Sequence, residues 1–128
     1  MKKRGRGSLG QSFVYAFEGI KTCLKNERNI RIHCSVASLV VICGVFFRIA
    51  PLEWCICLTL FGLVLSLELV NTSVEAAVDL VTEEYKPLAK IAKDTAAGAV
   101  LVSAILAAAA GLIIFIPKGL AFLSALAG

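Results

Sequence analysis

Charge is scarce in this chain, and histidine is scarcer. Only 17% of the 128 residues are charged, and histidine, methionine and tryptophan each occur once. A single histidine among five cysteines (Cys23, Cys34, Cys43, Cys55 and Cys57) gives no zinc-ligand spacing. Cys55 and Cys57, two apart, point to different faces of a helix, so the cysteines read as small packing residues rather than a disulfide framework. No G-x-x-x-x-G-K-[ST] segment occurs, which excludes a P-loop. Gly5-Arg6-Gly7-Ser8-Leu9-Gly10 has the spacing of a dinucleotide fingerprint, but only four residues precede it, too few for the strand that motif needs. No apolar h-region directly follows the basic start, so a cleaved signal peptide is not expected.

What fills the chain is apolar surface. Hydrophobic residues make up 59% of it, with a mean hydropathy of +0.86. That is too apolar for a soluble domain of this size and too short for several domains. Three runs, 32–49, 54–81 and 95–116, are long enough to cross a bilayer of about 30 Å. Pro51 follows the first run and Pro117 the third, and both predict helix stops. Eight of the 13 Lys and Arg precede the first run, and Lys86, Lys90 and Lys93 lie between the second and third. Only Arg48 and Lys118 remain for the other side, so the N-terminus and the second loop are expected in the cytoplasm. The net charge of +4 then reflects topology and anionic lipid, not nucleic-acid binding.

One run breaks its own pattern. Glu68, Asn71, Glu75 and Asp79 recur at spacings of 3, 4 and 4 inside the second span. On a helix they share roughly 80° of arc. Ionisable groups at membrane depth persist where they face protein, a polar cavity or an ion, so this stripe predicts a site. If Trp54 marks the outer interface, Glu68 lies about 21 Å inward and Glu75 about 31 Å.

The flanking segments converge on the same level. Phe13, Phe17, Ile20 and Leu24 form one apolar face opposite Tyr15, Glu18, Thr22 and Lys25, which predicts an interfacial amphipathic helix over 11–27 after a basic tail over 1–10. Ser8 and Gln11 have the spacing of a capping box. Ala99, Ser103, Ala107 and Gly111 place small residues every fourth position of the third span, a face on which membrane helices approach closely. Three spans cannot screen the polar stripe from lipid, so an oligomer is expected, with Glu27 and Glu68 of one site on different protomers. Glu27, Glu83, Glu84, Tyr85, Lys86, Lys93 and Asp94 all fall at the cytoplasmic end. Clustered carboxylates there suit Mg²⁺, and lysine suits a phosphate. Asp94 alternatively only caps the third helix, Glu83 and Lys90 read as solvated loop charges, and His33 as an interfacial polar residue outside the site.

Three segments together resemble the prokaryotic diacylglycerol kinase/undecaprenol kinase family. They are Asn26-Glu27-Arg28-Asn29-Ile30-Arg31-Ile32-His33, the run from Glu68 to Leu80, and Glu84-Tyr85 with the run from Ala89 to Leu101. The first segment looks closest to the Gram-positive undecaprenol kinases. The resemblance implies an all-α integral membrane protein, with an interfacial helix and three transmembrane helices assembling as a homotrimer in the bacterial cell membrane. It implies ATP- and Mg²⁺-dependent phosphorylation of a lipid hydroxyl at a cytoplasmic active site. Glu68 matches the catalytic base and Asn71 an orienting carboxamide, while Glu27 and Glu75 match Mg²⁺ ligands beside ATP. Tyr15, Glu84, Tyr85, Lys86, Lys93 and Asp94 match nucleotide contacts. Asp79 is left with a supporting electrostatic role.

The expected substrate is undecaprenol, with diacylglycerol as the alternative. A small proton-coupled transporter also uses intramembrane glutamates, but near the bilayer midplane rather than running to one surface. A non-enzymatic assembly subunit has no use for a carboxylate stripe.

Overall fold

The computed structural model of the chain describes residues 8–128. Residues 1–7 of the expected basic tail lie outside the described residues. Four α-helices follow one another: α1 (Leu9–Asn26), α2 (Arg28–Phe46), α3 (Pro51–Val81) and α4 (Pro87–Ala127). The last three are long and apolar enough to cross a membrane, so the chain is an all-α, multi-pass membrane protein. At 1.5 Å per residue, α3 is about 46 Å long and α4 about 61 Å.

Two of the three prolines start helices rather than stop them. Pro51 and Pro87 occupy the first turns of α3 and α4, where a missing N–H leaves no hydrogen bond unmade. Helix α4, the third span, therefore begins eight residues before Thr95, and Lys90 belongs to its first turns rather than to a loop. Asp94 lies too far inside α4 to cap it. Pro117 does not end α4 either, since the helix runs on to Ala127. An interior proline is tolerated in membrane helices when neighbours support it. Here Phe122 beyond it stacks edge-on against Phe46 at 5.3 Å, and Lys118 pairs with Glu53 at the start of α3 at 3.1 Å. Ser8 opens α1 through its carbonyl, which accepts the Gln11 N–H at 2.9 Å, with no side-chain cap from Ser8.

The α2–α3 turn is a Schellman motif. Ile49 N–H bonds to Gly44 O at 3.1 Å and Arg48 N–H to Val45 O at 3.2 Å. The position that favours glycine is held by Arg48, with φ of 50°. A Cβ on Gly44 would sit 2.7 Å from the Trp54 ring and 3.1 Å from Ile49 Cδ1, so α2 and α3 cross where only glycine fits.

Packing follows alternating steps of three and four residues. On α3 the seam is Cys57, Phe61, Val64, Glu68, Asn71 and Glu75, each buried or half-buried. On α2 it is Ile30, His33, Ala37, Val40 and Gly44, and on α4 Val100, Ser103, Ala107, Ala110 and Ile114. This is the knobs-into-holes period of helix bundles. It displaces the expected every-fourth-residue stripe, because Ala99 is exposed while Val100 is buried. Nothing lies within 4 Å of a Cβ placed on Gly62 or Gly111, so the close approach within the chain is made by Gly44 instead. Elsewhere large apolar side chains face outward, Ile42 at 65% and Ile113 at 75% exposed, as hydrocarbon as solvent allows.

Candidate active site

Halfway along α3 the seam changes from apolar to polar without changing its geometry. Glu68 lies about 20 Å from the Val81 end and Glu75 about 9 Å from it. Glu68 is 3% exposed and, among the described residues, is the one buried charged side chain. Asn71 is 8% exposed and its Nδ2 donates to Glu75 Oε1 at 2.9 Å. With that donation fixing the amide's orientation, Asn71 Oδ1 is left buried without a protein partner, an acceptor open to a water or a bound group. Thr72 Oγ1 donates to the Glu68 carbonyl and meets Cys23 Sγ at 3.3 Å, which docks α1 beside the polar half of α3.

Glu27 occupies the one-residue joint between α1 and α2, with extended backbone and its N–H bonded to Cys23 O at 2.8 Å. It lies within electrostatic reach of Glu68, as does Glu75. One correction concerns His33. Its Nε2 stands 3.2 Å from Glu68 Oε1, so it belongs to the site that sequence reasoning left it out of. The signal was there in its phase: His33 falls on the α2 seam between Ile30 and Ala37.

The remaining expected residues lie nearer the α3–α4 turn. Lys93 pairs with Asp79 at 2.5 Å, and Lys90 pairs with Asp94 one helical turn apart. Asp79 thus has a defined partner, and both pairs are more than one-third exposed. Exposed pairs of this kind contribute about 0–1 kcal/mol and exchange readily for another anion. Glu84 and Lys86 pair with each other at 2.9 Å, and Tyr85 is 78% exposed between them. Tyr15 on α1 lines a groove with Leu69, Thr72 and Ser73, one face away from Asn71 and Glu75.

From His33 toward Phe115, an apolar groove of about 560 Å³ runs between α2, α3 and α4. Val36, Val40, Phe61, Val64 and Ala107 are among its walls, and His33 is its one polar lining residue besides cysteine. Through His33 this slot adjoins the buried carboxylate of Glu68.

Comparison with known proteins gives this arrangement a family. The sequence model of prokaryotic diacylglycerol kinase matches residues 14–115. The chain belongs to that family. Undecaprenol kinase of Bacillus subtilis is 47% identical over 108 residues, covering 84% of this chain and 88% of that protein. Diacylglycerol kinase of Synechocystis is 39% identical over 107 residues, 83% of this chain and 61% of that protein. Diacylglycerol kinase of Haemophilus influenzae is 30% identical over 102 residues, 80% of this chain and 86% of that protein. The transporter and assembly-subunit alternatives fall with this membership.

Proposed function

We propose that this chain transfers the γ-phosphate of ATP to the hydroxyl of a membrane lipid, undecaprenol, as a homotrimer of the bacterial cell membrane with its active site facing the cytoplasm. One observation carries the reading: the apolar groove between α2, α3 and α4 reaches His33, whose Nε2 stands 3.2 Å from the buried carboxylate of Glu68. A prenyl chain in the groove brings its hydroxyl to Glu68. The hydroxyl proton passes to the carboxylate as the oxygen attacks the γ-phosphorus in line, and the bridging oxygen leaves with ADP. Asn71 holds Glu75 through its amide and offers Oδ1 to the bound substrate. Lys93 exchanges Asp79 for phosphate oxygens. Asp94, Tyr15, Glu84, Tyr85 and Lys86 supply the remaining nucleotide contacts.

The donor set fits Mg²⁺. Among the described residues no three His, Cys, Asp or Glu side chains form a ready cage. Mg²⁺ bound with substrate phosphates needs only one or two carboxylates, and Glu27 and Glu75 both act electrostatically on the base. When bound there, the ion would neutralise charge on the phosphates. The homotrimer rests on the outward apolar faces and on a polar seam that one chain only partly covers.

The test is competition between undecaprenol and diacylglycerol in detergent micelles with γ-labelled ATP and Mg²⁺. Label entering undecaprenol first supports the assignment. Preference for diacylglycerol reassigns the lipid, and no ATP-dependent label in either overturns the function.

A further inference from the structure

We propose that His33 is a positioning residue for the proposed base: its imidazole fixes which oxygen of Glu68 receives the lipid hydroxyl's proton. The proposal rests on Glu68 acting as that base. His33 reaches Glu68 from α2, with Nε2 3.2 Å from Oε1. An ionised carboxylate only accepts hydrogen bonds, so the proton between them is carried by Nε2. That bond occupies Oε1 and leaves Oε2 to the substrate. Glu68 is 3% exposed, so bulk water cannot orient it in place of the imidazole. The groups acting on Glu68 from the other directions, Glu27 and Glu75, are both carboxylates and repel it rather than hold it. Asn71, the neighbouring amide, gives one of its two N–H donors to Glu75 and, among the described residues, makes no hydrogen bond to the Glu68 carboxylate. His33 also lines the inner end of the apolar groove, so one side chain both directs the carboxylate and borders the slot from which the hydroxyl arrives.

Two substitutions separate positioning from packing. His33→Leu keeps bulk and removes the donor, whereas His33→Gln places an amide N–H where Nε2 stood. His33→Leu should lower kcat about 10- to 100-fold, the scale of a misplaced catalytic group. The KM values for ATP and lipid should stay within about threefold, because ground-state binding is untouched. His33→Gln should recover most of the loss. Wild-type turnover in His33→Leu overturns the role. So does a His33→Gln variant no better than His33→Leu when both retain the wild-type thermal midpoint and ATP binding. Because the chain has a single histidine, its imidazole ¹⁵N signals can be read without ambiguity. They should report one Nε2-protonated tautomer in the wild-type chain and a mixture in Glu68→Ala, with no substrate present. A tautomer indifferent to Glu68→Ala overturns the contact itself. A wild-type chain with that tautomer but no lipid kinase activity overturns the reading of Glu68 as a base and leaves the contact standing.

Discussion

Replacing Glu68 by glutamine is the sharpest perturbation of the proposed chemistry. The change keeps the side chain's length and plane inside a pocket where it is 3% exposed. The amide oxygen still accepts from His33 Nε2, so the α2–α3 contact survives. What disappears is a lone pair basic enough to take the lipid's proton. General-base catalysis is worth about 10²- to 10⁴-fold, so kcat should fall by that factor, equivalent to about 2.7–5.5 kcal/mol in barrier height. Burial places the outcome towards the upper half of the range, since no bulk water reaches the position to substitute as base. The assay is transfer of label from γ-labelled ATP to undecaprenol in micelles, with ATP binding and the unfolding midpoint measured on the same preparation. Both controls should match the wild-type chain. Turnover within about threefold of wild type, with both controls intact, would refute Glu68 as the base.

Glu27→Ala and Glu75→Ala should each move the Mg²⁺ titration midpoint to higher concentration and lower the rate; an unchanged midpoint in both would place the ion elsewhere. Co-assembling Glu27→Ala chains with Glu68→Ala chains from the unfolded state should restore partial activity, because three spans per chain leave the polar stripe to be screened by a second protomer; hybrids as inactive as either parent would place both side chains of one site in the same chain. Gly44→Ala should lower the thermal midpoint in detergent, because a Cβ 2.7 Å from the Trp54 ring overpacks the crossing by about 1–3 kcal/mol, more than the helix gains from losing a glycine.

The parts of this molecule written in local periodicity were legible in its sequence. Glu68, Asn71 and Glu75 sit three and four apart in an apolar run, and that spacing alone marks the helix face that turns into the bundle. Helix α4 was less legible, because hydropathy rises only at Thr95 while Pro87 starts the helix among lysines. Proline signals both a stop and a first-turn start, and hydropathy does not distinguish them. Pro117 was misleading for a related reason: its cost depends on neighbours, here Phe46, Phe122 and Glu53, that no local window contains. His33 lies 35 positions from Glu68, so only the phase of α2 against α3 joins them. Gly44 is similar, since its requirement comes from Trp54 across the turn.

The unbroken seam of α3 makes the bundle act as a depth gauge. The seam keeps its three-and-four spacing from Cys57 to Glu75 while its chemistry switches between Val64 and Glu68. An amphiphile entering it settles where its own polar–apolar boundary matches that switch, much as a float finds a waterline. Registry of the substrate is then set by composition along the helix rather than by a stop at the far end. Lipids of very different tail length would present their hydroxyls at one height, with surplus tail left in the bilayer. Moving the switch by one turn, with Val64→Asn, would reset that height by about 5 Å.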